Sequence, residues 1–140
     1  MKIATTITRL LLGLIFLVFG LNGFLWFLPA PPASGLMGQF MSVMIASHYG
    51  YLIFGVQVIA GLILLTNQYV PLALVALAAV LANILTFHIT MAPSGLPLAL
   101  VTTLLWFIVA WSVRSQFVPL LARKTGTSAA VTTAHRSRFA

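Results

Sequence analysis

Four polar side chains inside otherwise apolar runs are the residues best suited to hold a ligand: Asn22, Gln57, Asn83 and His88. A polar group left in hydrocarbon without a partner is costly, so such side chains must face protein, water or a bound molecule. Amides carry both hydrogen-bond donors and acceptors, and the neutral imidazole carries one of each. These residues would therefore suit a small lipophilic molecule with carbonyl or hydroxyl oxygens.

Packing is the second interpretation of the same amides, with Gln57 and Asn83 forming hydrogen bonds between helices. Such bonds contribute about 0.6 kcal/mol on average in membranes, so they can set the register of a bundle without dominating its stability. His88 lies about 140° from Asn83 around a helix, so these two side chains do not share a face. The sequence leaves ligand binding and packing open for these residues.

Catalytic chemistry is limited by the residue types that the chain lacks. It contains no aspartate, glutamate or cysteine, which excludes a carboxylate pair, a Ser-His-Asp triad and thiol redox chemistry. His48 with His88 is the remaining pair that could clasp a haem or a metal ion, but no spacing motif supports it. We therefore predict no catalytic residue and no metal site.

Apolar runs long enough to cross a bilayer recur through the 140 residues, of which 61% are hydrophobic. They predict an all-α integral membrane protein, a bundle of four antiparallel transmembrane helices over residues 7–28, 50–65, 71–91 and 96–113. The bundle forms one membrane domain, residues 1–122. Residues 123–140 are rich in Thr, Ser, Ala and basic side chains, which predicts a flexible basic tail.

Two segments allow a second interpretation. Residues 36–47 are too short to span and predict either an interfacial helix or an extension of the following one. The first apolar run follows basic residues, as in a signal peptide, but it is longer than the usual 7–15-residue hydrophobic region. We therefore expect it to remain as the first span.

The basic residues lie only near the two ends of the chain: Lys2, Arg9, Arg114, Arg123, Lys124, Arg136 and Arg138. Cytoplasmic segments carry an excess of Lys and Arg, so four spans with both termini in the cytoplasm are predicted. The four polar candidates then fall in the central or outer half of the bilayer. Basic clusters that flank hydrophobic spans suit an anionic membrane surface, and no nucleic-acid partner is expected.

Three apolar segments follow one another in a recognisable order: RLLLGLIF with FGLNGF at residues 9–16 and 19–24, GVQVIAGL at residues 55–62, and NILTFH at residues 83–88. Together they resemble the DoxX family of small bacterial membrane proteins, and the resemblance covers nearly all of residues 7–121. It implies a multi-pass protein of the bacterial inner (plasma) membrane with four helices. Family members often carry a glutamate where this chain has Gln57, so this chain lacks that ionisable group.

The function that the resemblance implies is an accessory, non-catalytic subunit of a quinone-linked redox system. Its cofactor would be a quinone, and its partners would be the lipid bilayer, a redox protein or a second copy of the chain. A small transporter and a non-catalytic scaffold or assembly protein are the alternatives. A co-purifying cofactor would favour the first, substrate flux the second, and a stable protein partner without either the third.

The predicted topology can be tested by cysteine labelling, because the chain has no cysteine of its own. We expect Ser34→Cys to react with an impermeant thiol reagent added outside the cell, since residues 28–49 are predicted to face outward. Ser128→Cys should react only after permeabilisation. The unsubstituted chain is the blank, and labelling of both variants from outside would contradict this topology.

Overall fold

The computed structural model describes residues 2–29, 32 and 34–121, and within them the chain forms helices and no strand. The predicted tail, residues 123–140, lies outside the described residues. Two 3₁₀ segments, Pro93–Gly95 and Arg114–Leu121, flank the last α-helix. The five α-helices are α1 Lys2–Leu25, α2 Gly35–Ala46, α3 Tyr49–Thr66, α4 Val70–Thr90 and α5 Leu96–Ser112.

Four helical segments are long and apolar enough to cross a membrane, with candidate spans of 18 to 23 residues. They correspond to α1, α3, α4 and to α5 together with the 3₁₀ segment that precedes it. This confirms the predicted all-α fold with four membrane-spanning helices. They pack in a closed ring in which α1 contacts α3 and α5, and α4 contacts the same two helices. The α1–α3 contact is the most extensive of the four.

The two ends of the bundle carry different segments of the chain. Thr6, Tyr69 and Arg114 line one cavity, so the start of α1, the α3–α4 turn and the end of α5 lie together. We call this the terminal end. Trp26 and Ser94 line another cavity with α2, which defines the opposite or α2 end. That the terminal end faces the cytoplasm stays a prediction.

The first helix runs from residue 2 to residue 25, whereas the sequence predicted a span over residues 7–28. It stops because Trp26 takes a left-handed backbone conformation, with φ of 52°. The side chain of Asn22 then supports the turn, since its Oδ1 accepts a hydrogen bond of 2.7 Å from the backbone N–H of Leu28. An amide inside the helix therefore ends it three residues early.

α2 is a separate helix and does not extend α3. His48, which connects the two, has φ of 59° and so breaks the helical path. The ring of Phe40 lies 5.5 Å from the ring of Phe87 on α4, and Met44 is buried. A Cβ atom added at Gly50 of α3 would lie 3.2 Å from the Met44 side chain. α2 therefore packs on both α3 and α4.

The glycines of α1 and α3 allow the backbones of these helices to approach closely. A Cβ atom added at Gly61 would lie 2.8 Å from the carbonyl oxygen of Gly13 and 2.8 Å from the backbone nitrogen of Leu17. A Cβ at Gly20 would lie 2.9 Å from the backbone nitrogen of Val58. Small residues at a helix interface favour such packing in membranes, where van der Waals contact replaces the hydrophobic effect as the driving force.

Large apolar side chains, aliphatic and aromatic, fill the remainder of the core between α1, α3, α4 and α5. Trp106 of α5 donates an indole hydrogen bond of 3.0 Å to the carbonyl oxygen of Leu74 on α4, so this tryptophan is a packing residue. Tryptophan needs such a partner when its ring leaves water. The largest fully buried side chains are Leu12, Phe16, Leu64, Leu74, Leu77 and Val109.

Arg9 lies near the start of α1, and a basic side chain near the end of a membrane span commonly extends toward the lipid head groups. Instead its guanidinium donates hydrogen bonds to the carbonyl oxygens of Leu64 and Leu65, in the last turn of α3. The last carbonyls of a helix lack intrahelical partners and carry partial negative charge, so a cation there satisfies and stabilises them. Arg9 thus ties α1 to the C-terminus of α3.

Two alanine substitutions on α3 test the close packing of α1 and α3. Gly61→Ala should lower the free energy of unfolding in detergent by about 1–3 kcal/mol, because its Cβ would meet α1 backbone atoms. Gly55→Ala is the matched control, since a Cβ there has no neighbour within 4 Å. Its stability should be unchanged or slightly higher. Equal losses in both variants would argue against a tight α1–α3 interface.

Candidate functional site

An inner cavity of about 280 Å³ lies toward the α2 end of the bundle, and all five helices contribute to its wall. Its surface is mainly apolar, with a few polar side chains that face the same space. This composition is typical of pockets for small lipophilic ligands. The lining residues are Ile15, Phe16, Phe19, Asn22, Gly23, Trp26, Leu28, Met41, Phe54, Gln57, Ile84, His88, Leu98, Ala99 and Thr102.

Gln57 presents a side-chain amide to this cavity from the middle of α3. The residue is only 6% exposed, yet its amide makes no hydrogen bond within the described part of the chain. Among the described residues, every fully buried side-chain nitrogen or oxygen has a hydrogen-bond partner. The Gln57 amide has none, so it is not fully buried and must reach an accessible surface. The cavity provides that surface. Gln57 therefore offers two donors and one acceptor oxygen to whatever occupies it.

His88 lines the same cavity from the far end of α4. Its Nδ1 lies 2.9 Å from the carbonyl oxygen of Ala92. A carbonyl oxygen can only accept, so Nδ1 carries the hydrogen and donates it. In the neutral ring Nε2 then has a lone pair available as an acceptor. The turn after α4 thereby fixes the tautomer of His88.

Asn22 also lines the cavity, but part of its hydrogen-bonding capacity is already used. Its Oδ1 accepts from the backbone of Leu28, whereas its two amide hydrogens have no partner among the described residues. The side chain is half-buried. Asn22 therefore contributes donors to the cavity, while Gln57 contributes both donors and an acceptor and His88 an acceptor.

Three glycines, two on α1 and one in the turn before α5, leave the space that three of the lining side chains occupy. A Cβ at Gly20 would lie 2.9 Å from the Cβ of Gln57, and a Cβ at Gly23 would lie 2.2 Å from the ring of Phe54. The imidazole of His88 packs on Gly95, where a Cβ would lie 2.1 Å from Cε1. Nothing in the sequence signals that Gly95 positions His88.

The structure does not bring Asn83 to the cavity. Its side chain is exposed on the outer face of α4 and makes no hydrogen bond within the described residues. Ala79, Thr86 and Thr90 are exposed on the same face. The two threonine hydroxyls bond to carbonyl oxygens one turn earlier on α4. The 140° that separates Asn83 from His88 puts His88 inside and Asn83 outside.

His48, the other half of the predicted haem or metal pair, is exposed at the start of α3. Its ring packs edge-on against Tyr51, with centroids 5.3 Å apart, and it does not line the cavity. The described residues contain no group of three or more His, Cys, Asp or Glu side chains that could hold a metal ion. The histidine that matters for the site is therefore His88.

The lining also contains residues that the sequence did not single out as ligand-binding. Phe16, Phe19 and Phe54 provide aromatic walls, but an apolar ring in an apolar span gives no signal of its own. Thr102 of α5 is 5% exposed, and its hydroxyl donates a hydrogen bond of 2.8 Å to the carbonyl oxygen of Leu98. That bond occupies its hydrogen and leaves oxygen lone pairs.

A wider groove of about 1160 Å³ lies next to the inner cavity at the α2 end. Trp26, Met41 and His88 line both spaces, so the two share part of their walls. The groove is bordered by α2 on one side and by the α4–α5 turn on the other. A ligand in the inner cavity would therefore have a route toward the α2 end of the bundle.

The fold and the cavity define the class of this protein. It is an all-α protein with four helices that can span a membrane and with an inner cavity that presents hydrogen-bonding groups. No protein-family model, curated protein or solved structure matches the chain. The resemblance to the DoxX family therefore stays a prediction.

Cysteine labelling also tests whether the Gln57 amide borders an open space. We expect Gln57→Cys to react with a small neutral maleimide, although only 6% of Gln57 is exposed. Ala60→Cys, about one turn further along α3, is the control, because Ala60 is 2% exposed and lies in the packed core. It should remain unreactive until the protein is unfolded. Equal reactivity of the two folded variants would rule out the cavity at Gln57.

Proposed function

We propose that this protein is a multi-pass protein of the bacterial inner membrane that binds a small lipophilic molecule with polar oxygens, such as a quinone. The ligand occupies the inner cavity. We further propose that the protein belongs to the DoxX family and acts as an accessory, non-catalytic subunit of a quinone-linked redox system. The chain has no carboxylate side chain and no thiol, so electron transfer depends on a partner or on the bound cofactor.

The unpartnered amide of Gln57 is the observation that carries this proposal. A polar group sealed from water without a hydrogen bond costs about 1–3 kcal/mol, so an apolar ligand that filled the cavity would have to supply hydrogen bonds to this amide. An interhelical bond would have explained the residue as packing, but Gln57 makes none in the described part of the chain. A carbonyl oxygen of the ligand would accept from the Gln57 amide, and a hydroxyl would donate to its oxygen.

The dimensions and walls of the cavity support a single ring with a chain attached. Its volume of about 280 Å³ lies just below the range of about 300–1,000 Å³ for drug-sized ligands. Phe16, Phe19 and Phe54 supply aromatic surfaces against which a flat ring can pack. An apolar tail would extend out of the cavity along the adjoining groove.

His88 adds a second polar contact to the cavity, from α4. Because Nδ1 donates to Ala92, the available Nε2 would accept a hydrogen bond from a hydroxyl group of the ligand. The same nitrogen could take up a proton released by a quinol, while a partner protein takes the electrons. This role fits an accessory subunit, since His88 would position the quinol and accept a proton from it without a redox group of its own.

Binding of a short-tailed quinone to the purified protein tests the proposal. Gln57→Leu removes the amide at similar size and should weaken binding about tenfold, as expected for one lost hydrogen bond. His88→Phe should weaken binding of the reduced, hydroxyl-bearing form more than that of the oxidised form. Each variant is compared with the wild type by a thermal melt to verify that it is folded.

Asn83→Leu is the matched control, because it makes the same change at an exposed position on α4. It should bind the quinone as tightly as the wild type. The proposed site is excluded if the wild type does not bind, or if folded Gln57→Leu binds as tightly as the wild type. Equal weakening in Gln57→Leu and Asn83→Leu would also exclude it.

A further inference from the structure

A second large cavity opens at the terminal end of the bundle, opposite the proposed quinone site. It has a volume of about 1330 Å³ and lies between the start of α1, the α3–α4 turn and the end of α5. Both polar and apolar side chains border it, and two of the polar ones are arginines. Its lining is Thr5, Thr6, Arg9, Asn67, Tyr69, Val70, Pro71, Phe107, Ile108, Val109, Trp111, Ser112, Val113, Arg114 and Gln116.

The two arginines of this cavity have no acidic side chain to pair with, because the chain contains no aspartate or glutamate. Arg9 donates to the carbonyl oxygens of Leu64 and Leu65. Arg114 donates a hydrogen bond of 3.1 Å to the carbonyl oxygen of Trp111, and its guanidinium lies 5.0 Å from the centre of that indole ring. These contacts orient both groups but leave their charges without an anion.

Each guanidinium also retains donors for a further ligand. A guanidinium carries five N–H donors in a fixed fork, which matches the oxygens of a phosphate. Arg9 uses one nitrogen for its two carbonyl contacts, and Arg114 uses one nitrogen for a single contact. The side chain of Arg9 is half-buried, so its charge is less screened by water than that of an exposed residue.

Apolar surface continues from the arginines along α5 toward the middle of the bundle. Phe107 and Ile108 are 60% and 42% exposed, although they are large hydrophobic side chains, and both line the cavity. Val70 and Val109 are buried beside them. The cavity thus has a cationic part at the bundle end and an apolar part at membrane depth. These two parts are complementary to a molecule with an anionic head and an acyl tail.

We propose that this cavity binds an anionic phospholipid, with the phosphate contacting Arg9 and Arg114 and an acyl chain along Phe107 and Ile108. Basic pockets between membrane helices are known to hold anionic head groups. A free phosphate ion would share the contacts with the arginines, but it would leave the apolar wall unused. This site is separate from the quinone cavity and does not depend on the proposed function.

Retention of defined lipids by the full-length protein tests the proposal. Protein in neutral detergent is titrated with phosphatidylglycerol or with phosphatidylcholine, and bound lipid is counted by native mass spectrometry. We expect one phosphatidylglycerol to bind with preference over phosphatidylcholine. Arg114→Gln should weaken its binding about tenfold, as expected for loss of a charge-assisted hydrogen bond. Excess inorganic phosphate should not displace the lipid.

Arg138→Gln is the control for net charge, because it also removes one of the seven positive charges. It should bind phosphatidylglycerol like the wild type. Arg9→Gln should weaken binding as well, and Arg114→Gln keeps the test valid if loss of Arg9 unfolds the protein. Equal retention of both lipids, an unchanged affinity in Arg114→Gln, or equal weakening in Arg138→Gln would overturn the proposal. Full displacement by inorganic phosphate would overturn the assignment to a lipid.

Discussion

The close approach of α1 and α3 is the contact on which the rest of the structure depends. Gly13 of α1 and Gly61 of α3 place backbone against backbone, and a single added carbon at Gly61 would meet α1 atoms at 2.8 Å. In a bilayer the lipid tails are as apolar as the side chains, so such tight van der Waals packing holds helices together. The same approach leaves Gln57 beside Gly20, where its amide reaches the inner cavity.

The hydrogen bonds inside the bundle satisfy some polar groups and leave others without a partner among the described residues. The hydroxyls of Thr86 and Thr90 bond within their own helix, and Asn22 supports the end of α1 through its Oδ1. The Nδ1 of His88 bonds to the α4–α5 turn. After these bonds are made, the amide of Gln57, the amide hydrogens of Asn22 and the Nε2 of His88 remain, and all three side chains line one cavity.

The two ends of the bundle differ in charge, and that difference follows from the distribution of basic residues in the chain. Arg9 and Arg114 line the cavity at the terminal end. The groove at the α2 end is bordered instead by apolar and neutral polar side chains together with His88. Anionic groups are therefore favoured at one end, and neutral molecules with hydrogen-bonding oxygens at the other. The charge pattern that predicts orientation in the membrane also separates the two proposed sites.

The sequence by itself determined the number of spans and the residues worth considering for a site. Length and apolarity define the four helices. Asn67 and Pro71, residues typical of a turn and of a helix start, flank the α3–α4 turn in the structure. Of the polar residues in apolar runs, Asn22, Gln57 and His88 line one cavity. That they bind a ligand stays a prediction. Glycines within apolar runs, as in α1 and α3, are also typical of packing surfaces between membrane helices.

Only the tertiary structure decided which face of each helix points inward. In water a helix has an apolar face toward the core, but in a membrane both the lipid side and the core side are apolar. The hydropathy pattern along α4 therefore does not indicate that His88 faces the cavity and Asn83 faces outward. The sequence also did not predict that Gly95 supports His88 or that Arg9 binds the C-terminus of α3. The first contact joins residues on two sides of a turn, and the second joins helices that are distant in sequence.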